Sequence, residues 1–292
     1  MPEKRIKSFS RTENLSEKCV YNIYVLTREQ VRFYNENGYL ILPVFSGEEC
    51  DALTEHYMEL RKEARPGDFS GVDPESNDPL LKYPRMIHMH RWDDVSLRWA
   101  IDDRLHAVMT LLTGVEPFMV QTMLYFKPPG ARGQALHQDN YYLRAQPGTC
   151  LAAWLALDDC DEENGCMQVV PGSHSLPILC AEKADTSVSF TDVTVPLPRG
   201  MEVVPAVMKR GEVLFFNGSL IHGSYPNTST VRFRRALIGH YLTGDAKTVS
   251  EWYHPVYKMD GSIIDFGSTK SGGPCGVAVD RDGEVIIEMV ER

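Results

Sequence analysis

Residues 118–139 read FMVQTMLYFKPPGARGQALHQD, and their pattern decides the fold. The run from Phe118 to Lys127 is apolar and aromatic, as a strand inside a sheet requires. Pro128-Pro129-Gly130 ends it, because proline supplies no ladder N–H and glycine opens a turn. Leu136-His137-Gln138-Asp139 then reads as a second extended piece. The same grammar continues beyond it, with strand candidates at 150–157, 166–171, 211–216 and 234–242. Asn164-Gly165 lies between two apolar runs and predicts a hairpin. Further turns fall at Pro171-Gly172-Ser173 and Pro226-Asn227. Short strands at regular spacing predict a mainly β protein, a sandwich or jelly roll. A last hairpin is expected over 276–290, turning at Asp280-Arg281-Asp282-Gly283.

Before this region the periodicity is helical. Leu105, Val108, Met109 and Leu112 recur at helical spacing, and Gly114 stops a helix expected over about 97–113. Thr27-Arg28-Glu29-Gln30 and Ser46-Gly47-Glu48-Glu49 carry the capping-box spacing of two more helix starts. Tyr39 to Val44 reads as a short buried strand between them. Residues 66–84 read as a surface loop, and 1–22 as a polar tail. One domain is therefore expected over 23–292, with a jelly-roll core at about 118–245 and N-terminal helices packed against it.

Composition narrows the function by exclusion. The chain has 30 Lys+Arg against 40 Asp+Glu and no basic run, so nucleic acid is not an expected partner. No apolar run approaches the ~18–20 residues of a membrane helix, and the N-terminus lacks an export-type apolar segment. Seven cysteines include no C-x-x-C pair, so neither a disulfide framework nor a structural zinc site is expected. A reducing cytoplasm fits that content.

Three features carry chemistry. In extended backbone His137 and Asp139 point to one side, roughly 6.5–7 Å apart, where an imidazole and a carboxylate can grip one ion. His222 follows the apolar strand candidate at 211–216 and adds a second imidazole. Two His and one carboxylate with no nearby Cys suit a non-haem iron(II) oxygenase, whose remaining coordination positions stay open. Arg234, twelve residues on, shares a strand face with Ala236, Ile238 and His240. A guanidinium there can clamp a carboxylate; Arg232 has the same parity and is the rival, whereas Arg235 points away.

These motifs resemble the phytanoyl-CoA dioxygenase family. The resemblance rests on Met123 through Asp139, Trp154 in Ala153-Trp154-Leu155-Ala156-Leu157, and Glu163-Asn164-Gly165-Cys166. It continues through Val170-Pro171-Gly172-Ser173-His174, His222-Gly223-Ser224 and Arg234-Arg235-Ala236, with Gly38-Tyr39-Leu40 and Phe45-Ser46 upstream. It covers roughly 27–245 and departs from the pattern by a loop one residue longer between His222 and Arg234. The resemblance implies a double-stranded β-helix (jelly roll, cupin-like) holding Fe(II) through His137, Asp139 and His222. It implies 2-oxoglutarate as co-substrate, with its distal carboxylate on Arg234 and Ser224, and Met123, Trp154 and Arg85 beside it. It also implies reaction with O2 and a small organic substrate at an unactivated C–H bond, releasing succinate and CO2. With Asp139 present, hydroxylation or a related oxidation is expected rather than halogenation. Two rivals keep the fold: a catalytically silent jelly-roll binding protein, and a cupin-type enzyme without 2-oxoglutarate. The complete ligand set and Arg234 argue against the first, and Arg234 with Ser224 against the second. Asn140, Tyr141, Tyr142 and Arg144 are candidate pocket residues, and 176–209 a candidate lid. His88 and His90 are expected at the surface or the pocket, and His174 at a turn.

Overall fold

The structure is a computed structural model that describes residues 26–63, 72–281 and 284–291. The expected tail over 1–22 lies outside these residues, as do 66–71 of the expected loop and two positions of the last turn. Local chemistry sets the first elements. Helix α1 (Arg28–Asn37) starts with the full Thr27–Gln30 capping box and stops at Gly38 in the left-handed region. Strand β1 (Tyr39–Pro43) leads into α2 (Gly47–Glu63), where the Ser46 and Glu49 side chains each accept the other's backbone N–H. A single turn, α3 (Pro79–Lys82), and a short strand, β2 (Met86–Ile87), come next.

The one helix expected over 97–113 is two. Helix α4 (Asp94–Ala100) ends at Ile101, and α5 (Asp103–Thr113) begins afresh. Asp102 accepts the backbone N–H of Arg104 and is gripped by the Arg104 side chain, so it caps a new start within one apolar period.

The β region then unrolls as β3 (Phe118–Lys127), β4 (Gln134–His137), the short helix α6 (Asn140–Leu143), β5 (Cys150–Ala156) and β6 (Met167–Val169). A ribbon of β7 (Glu182–Lys183) and β8 (Val193–Thr194) lies in the insert. It is followed by β9 (Val204–Ala206), β10 (Glu212–Asn217), β11 (His222–Ser224) and β12 (Arg234–Leu242). The chain closes with β13 (Thr248–Ser250), β14 (Val256–Tyr257), β15 (Ile263–Ile264), β16 (Gly267–Thr269), β17 (Cys275–Arg281) and β18 (Glu284–Val290). The larger sheet has the order β1-β10-β5-β12-β3-β14-β15, with β2 also on β3, and the smaller β4-β11-β6-β9. Together they form the expected jelly roll.

Alternation along the central strands separates two cores. Trp154, Leu214 and Ile238 of the larger sheet meet Met167, Val169 and Ala206 of the smaller one inside the roll. On the opposite face Leu124, Phe126, Leu155, Phe215 and Leu237 pack against the helices through Tyr34, Tyr57, Trp99 and Leu105. Each such side chain contributes about 1.5–3 kcal/mol of burial, so the helices are part of the core rather than an appendage.

Two further expectations change. Asn164-Gly165 does not close a hairpin, because β5 and β6 belong to different sheets and the turn carries the chain across the roll. Asn164 is fully buried there, donating to the Asp159 and Phe233 carbonyls. The expected absence of disulfides is also overturned, since Cys180 and Cys275 are bonded across a separation of 95 residues. Nothing local marks that pairing. It joins the start of the insert to the last hairpin, beside backbone bonds from Cys180 N–H to Gly276 and from Gly276 N–H to Ile178. Cys50, Cys150, Cys160 and Cys166 stay free and buried. Opening a loop of this length should remove about 2–4 kcal/mol of stability. Cys180→Ser with Cys275→Ser should therefore melt several degrees below the parent in a thermal scan, and a reductant should lower the parent alone. Equal melting temperatures would mean the bridge contributes nothing.

Candidate active site

The smaller sheet brings the two imidazoles together. In the antiparallel pairing of β11 with β4, His222 lies directly opposite His137, and their ring centroids are 4.2 Å apart. Each ring is held by its own chain. His137 Nδ1–H donates to the Ala135 carbonyl at 2.9 Å, and His222 Nδ1–H donates to that of Leu220 at 3.0 Å. A carbonyl only accepts, so these bonds fix the tautomer and turn both Nε2 atoms inward. Both Nε2 atoms lie 3.5 Å from Asp139 Oδ1.

Asp139 arrives by a route other than the expected extended pair. The chain leaves β4 after His137, and Asp139 already has helical backbone (φ −61, ψ −37) at the start of α6. Its second oxygen, Oδ2, is 3.1 Å from His240 Nε2 on β12, a ring to which no role was assigned in advance. The available signal was its shared strand face with Arg234. Burial pushes the Asp139 carboxyl up, but His222 and His240 outweigh it and hold the group well below the usual carboxylate range. Among the described residues, His137, Asp139 and His222 are the one set of three whose ligand atoms lie close enough together, within 4.8 Å, to hold a metal ion.

The opposite end of the interior is cationic. Arg234 is 2% exposed; its Nε donates to the Gly165 carbonyl at 3.0 Å, its guanidinium carbon lies 5.2 Å from the Trp154 ring centre, and Nη1 has no partner. Arg232 turns outward and pairs with Asp161 and Glu163, while Arg235 forks onto Asp158. Parity left Arg232 and Arg234 open; the outward pairing of Arg232 leaves Arg234 as the inward guanidinium. Ser224 is buried, and its hydroxyl accepts from Lys127 Nζ at 2.7 Å.

A cavity of about 570 Å³ connects Arg234 to the His137–Asp139–His222 set, whereas Ser224 lies outside its lining, on a neighbouring hollow with Gln134 and Tyr225. Met123, Trp154, Arg85 and Arg234 line it with the His137–Asp139–His222 set. Tyr141 and Tyr142 join the wall, whereas Asn140 braces its own loop through Ala145 and Arg144 bonds to Lys270. Thr191, Asp192 and Val193 bring the insert into the wall of the cavity. Arg85 stands on the aromatic side, 3.5 Å from the Tyr125 hydroxyl. His88 and His90 are buried rather than superficial, packed edge-on against Tyr253 and Tyr257 respectively, and burial pushes both down to about 3. His174 reaches the Asn35 carbonyl near the end of α1.

The sequence matches the family model Phytanoyl-CoA dioxygenase (PhyH) over residues 34–236. Phytanoyl-CoA dioxygenase 1 of Oryza sativa subsp. japonica is 31% identical over 254 residues, covering 74% of this chain and 89% of that one. The peroxisomal phytanoyl-CoA dioxygenase of Rattus norvegicus is 28% identical, covering 77% and 71%. Among solved structures, the non-heme alpha ketoglutarate dependent carbocyclase SnoK superposes with a TM-score of 0.60 at 24% identity, covering 76% of this chain and 86% of that chain. EctD from S. alaskensis with 2-oxoglutarate gives 0.59 at 24%, covering 75% and 76%. Those two likenesses speak for the fold. The protein is thus an oxygenase of the non-haem iron, 2-oxoglutarate-dependent class. It belongs to the phytanoyl-CoA dioxygenase family.

The turn that crosses from β5 to β6 beside Arg234 depends on Gly165. It sits at φ +84, and a Cβ there would meet Lys127 Cδ and the Tyr225 carbonyl at 2.7 Å. Gly165→Ala should lower stability by about 1–3 kcal/mol, the range for a strained backbone position. Gly200, also at positive φ but with open space around it, is the control for backbone strain alone. Denaturant titration of both alanine variants checks this, and an equal loss at the two sites would show that the contact with Lys127 is immaterial.

Proposed function

We propose that the protein oxidises an unactivated C–H bond of a small organic metabolite, by hydroxylation, with release of succinate and CO2. One observation supports this reading above the others. A single cavity has a His-Asp-His set on one wall and, elsewhere on its lining, a buried guanidinium without an anion. A dicarboxylate that reaches both satisfies both.

In this reading His137, Asp139 and His222 hold iron(II), which with bound 2-oxoglutarate and O2 supplies the oxidant. Arg234, with Ser224, takes the distal carboxylate of 2-oxoglutarate. Met123 and Trp154 flank its carbon chain, and Arg85 lies within reach of its other end. His240 orients Asp139 through Oδ2, leaving Oδ1 for the metal. Aromatic rings of Tyr125, Tyr142 and Tyr253 wall the remaining space, and the insert at Thr191–Val193 completes that wall, so water is excluded while the substrate is positioned.

The named neighbours include a carbocyclase and an enzyme solved with 5-hydroxyectoine, so the reaction class is broader than any one substrate. No helix among the described residues is long and apolar enough to cross a membrane. A cytoplasmic setting is supported by four free, buried cysteines, and the Cys180–Cys275 bridge counts against it.

Two sets of variants test the assignment. His137→Ala, Asp139→Ala and His222→Ala should each abolish 2-oxoglutarate turnover and sharply weaken Fe(II) binding; ordinary turnover in any of them would remove that residue from the metal set. Arg234→Ala should weaken 2-oxoglutarate about thirty-fold or more, since leaving one partner of a buried charge pair costs ~2–5 kcal/mol and a decade is ~1.4 kcal/mol. Arg232→Ala should change little, because its guanidinium is already paired outside the cavity. Anaerobic titration of 2-oxoglutarate into the Fe(II)-loaded variants, followed by the visible charge-transfer band, distinguishes the two. A large loss at Arg232 with none at Arg234 would reverse the assignment.

A further inference from the structure

Strand β3 runs the length of the cavity and gives it two chemically different ends. Its cavity-lining residues are Gln121, Met123 and Tyr125, and the register with β12 sets Lys127 opposite Arg234 and Gln121 opposite His240. At ~3.3 Å per residue the two pairs stand roughly 20 Å apart along the strand. His240 holds Asp139, so the Gln121 end adjoins the metal turn and not the guanidinium.

Two polar groups at this end have no partner. Gln121 is 5% exposed and Tyr253 6%, and both line the cavity. Neither the Gln121 amide nor the Tyr253 hydroxyl makes a hydrogen bond among the described residues. Burial, then the Asp139 charge, pushes the Tyr253 phenol up, so it faces the cavity as a neutral hydroxyl. A buried polar group left unpaired carries the whole cost of its lost hydration, so what fills the cavity has to satisfy both. The charged groups of the wall set no such condition. Arg85 and Asp192 are exposed and keep their hydration, and Arg85 already reaches the Tyr125 hydroxyl. Around the pair the surface is aromatic. The Tyr142 ring lies 6.1 Å from that of His137. Trp252 stands at the rim, 63% exposed, its ring 5.5 Å from His88 and its carbonyl held by Arg91.

Resting on the oxygenase reading above and deepening it, we propose that Gln121 and Tyr253 hold the organic substrate, and that this substrate is a neutral polyol ring of the sugar or cyclitol kind. An amide offers two donors and an acceptor, and a phenol one donor and an acceptor. Adjacent hydroxyls, which both donate and accept, match that pair in full. A carboxylate would leave the amide oxygen unpaired, and an ammonium the amide nitrogen. The apolar C–H face of such a ring lies against Tyr142 and Trp252, as ligand sites pair broad aromatic contact with a few fixed polar groups. Because Gln121 is the direct cross-strand neighbour of His240, the hydroxyl it holds brings the adjoining ring C–H to the metal turn.

The test uses the protein loaded with Fe(II) and 2-oxoglutarate, without oxygen, and four probes of one ring size. These are cis-1,2-cyclohexanediol, cyclohexanecarboxylate, cyclohexylammonium and tetrahydropyran, and binding is followed by the shift of the visible charge-transfer band. The diol should bind about ten-fold or more tightly than the other three, since a site that hydrogen-bonds a hydroxyl rejects the analogue without it. Gln121→Leu and Tyr253→Phe should each weaken the diol about ten-fold and leave tetrahydropyran, Fe(II) and 2-oxoglutarate within about two-fold. If Gln121→Leu does not fold, Gln121→Met takes its place with the same expected losses. Tighter binding of the carboxylate would pass the anchoring role to Arg85, and tighter binding of the ammonium to Asp192; either overturns the proposal. Equal binding of the ether, or binding of no probe, overturns it as well. Equal losses of diol, Fe(II) and 2-oxoglutarate in the variants would reduce the pair to supports of the metal turn. Absence of the charge-transfer band in the parent would instead remove the co-substrate reading on which the proposal rests.

Discussion

The centre of this protein depends on one register, β11 against β4. That pairing sets His222 opposite His137 and Ser224 opposite Gln134. A slip of one residue would put the two imidazoles on opposite faces of the sheet. Gly223 guards the register, because a Cβ there would meet the Gln134 carbonyl at 2.6 Å. Once the strands are fixed, each ring is locked by the carbonyl two residues before it. No third element is needed to aim either Nε2.

The larger sheet contributes at both ends of the same cavity. On β12 one face carries Arg234, Ala236, Ile238 and His240, so a single strand reaches the cationic end with its first residue and Asp139 with its seventh. Ala236 and Ile238 between them are apolar and buried, which keeps the two polar ends separate. The strand stays regular until a register shift between His240 and Tyr241. The spacing between carboxylate clamp and metal turn is therefore set by rigid sheet geometry rather than by loops.

Strict periodicity made much of this legible in the sequence. Seven residues of regular strand, Arg234 to His240, let parity separate Arg234 from Arg235, and a capping box announces its own helix at Thr27 and Ser46. What parity left open, Arg232 against Arg234, is decided by partners far away in sequence, Asp161 and Glu163, that draw Arg232 outward. Asp139 was identified for an incomplete reason: it meets the imidazoles through a helical turn, which no alternation rule describes. Asn164-Gly165 was misread because a turn signal does not say which sheet the next strand joins. Lys127 and His240 passed unread for a simpler cause. A lysine before Pro-Pro and a histidine late in an apolar strand look ordinary until the opposite strand is known.

Gln138 shows how the metal turn is tied to the rest of the molecule. It lies between His137 and Asp139 and is wholly buried, pointing away from both. Its amide nitrogen donates to the Ser219 and Pro177 carbonyls, and its oxygen accepts the Leu179 N–H at 2.7 Å. Ser219 belongs to the turn that delivers His222, and Pro177 and Leu179 open the insert that joins the cavity wall. Cys180, the next residue, is bonded to the last hairpin. One amide therefore connects the segments carrying both imidazoles, the carboxylate and the insert. Two of these hydrogen bonds tie the insert to the metal turn, and the third ties that turn to the one that delivers His222. The insert and the metal turn of this jelly roll are accordingly tied to each other, whereas Arg234 stands on β12 in the larger sheet.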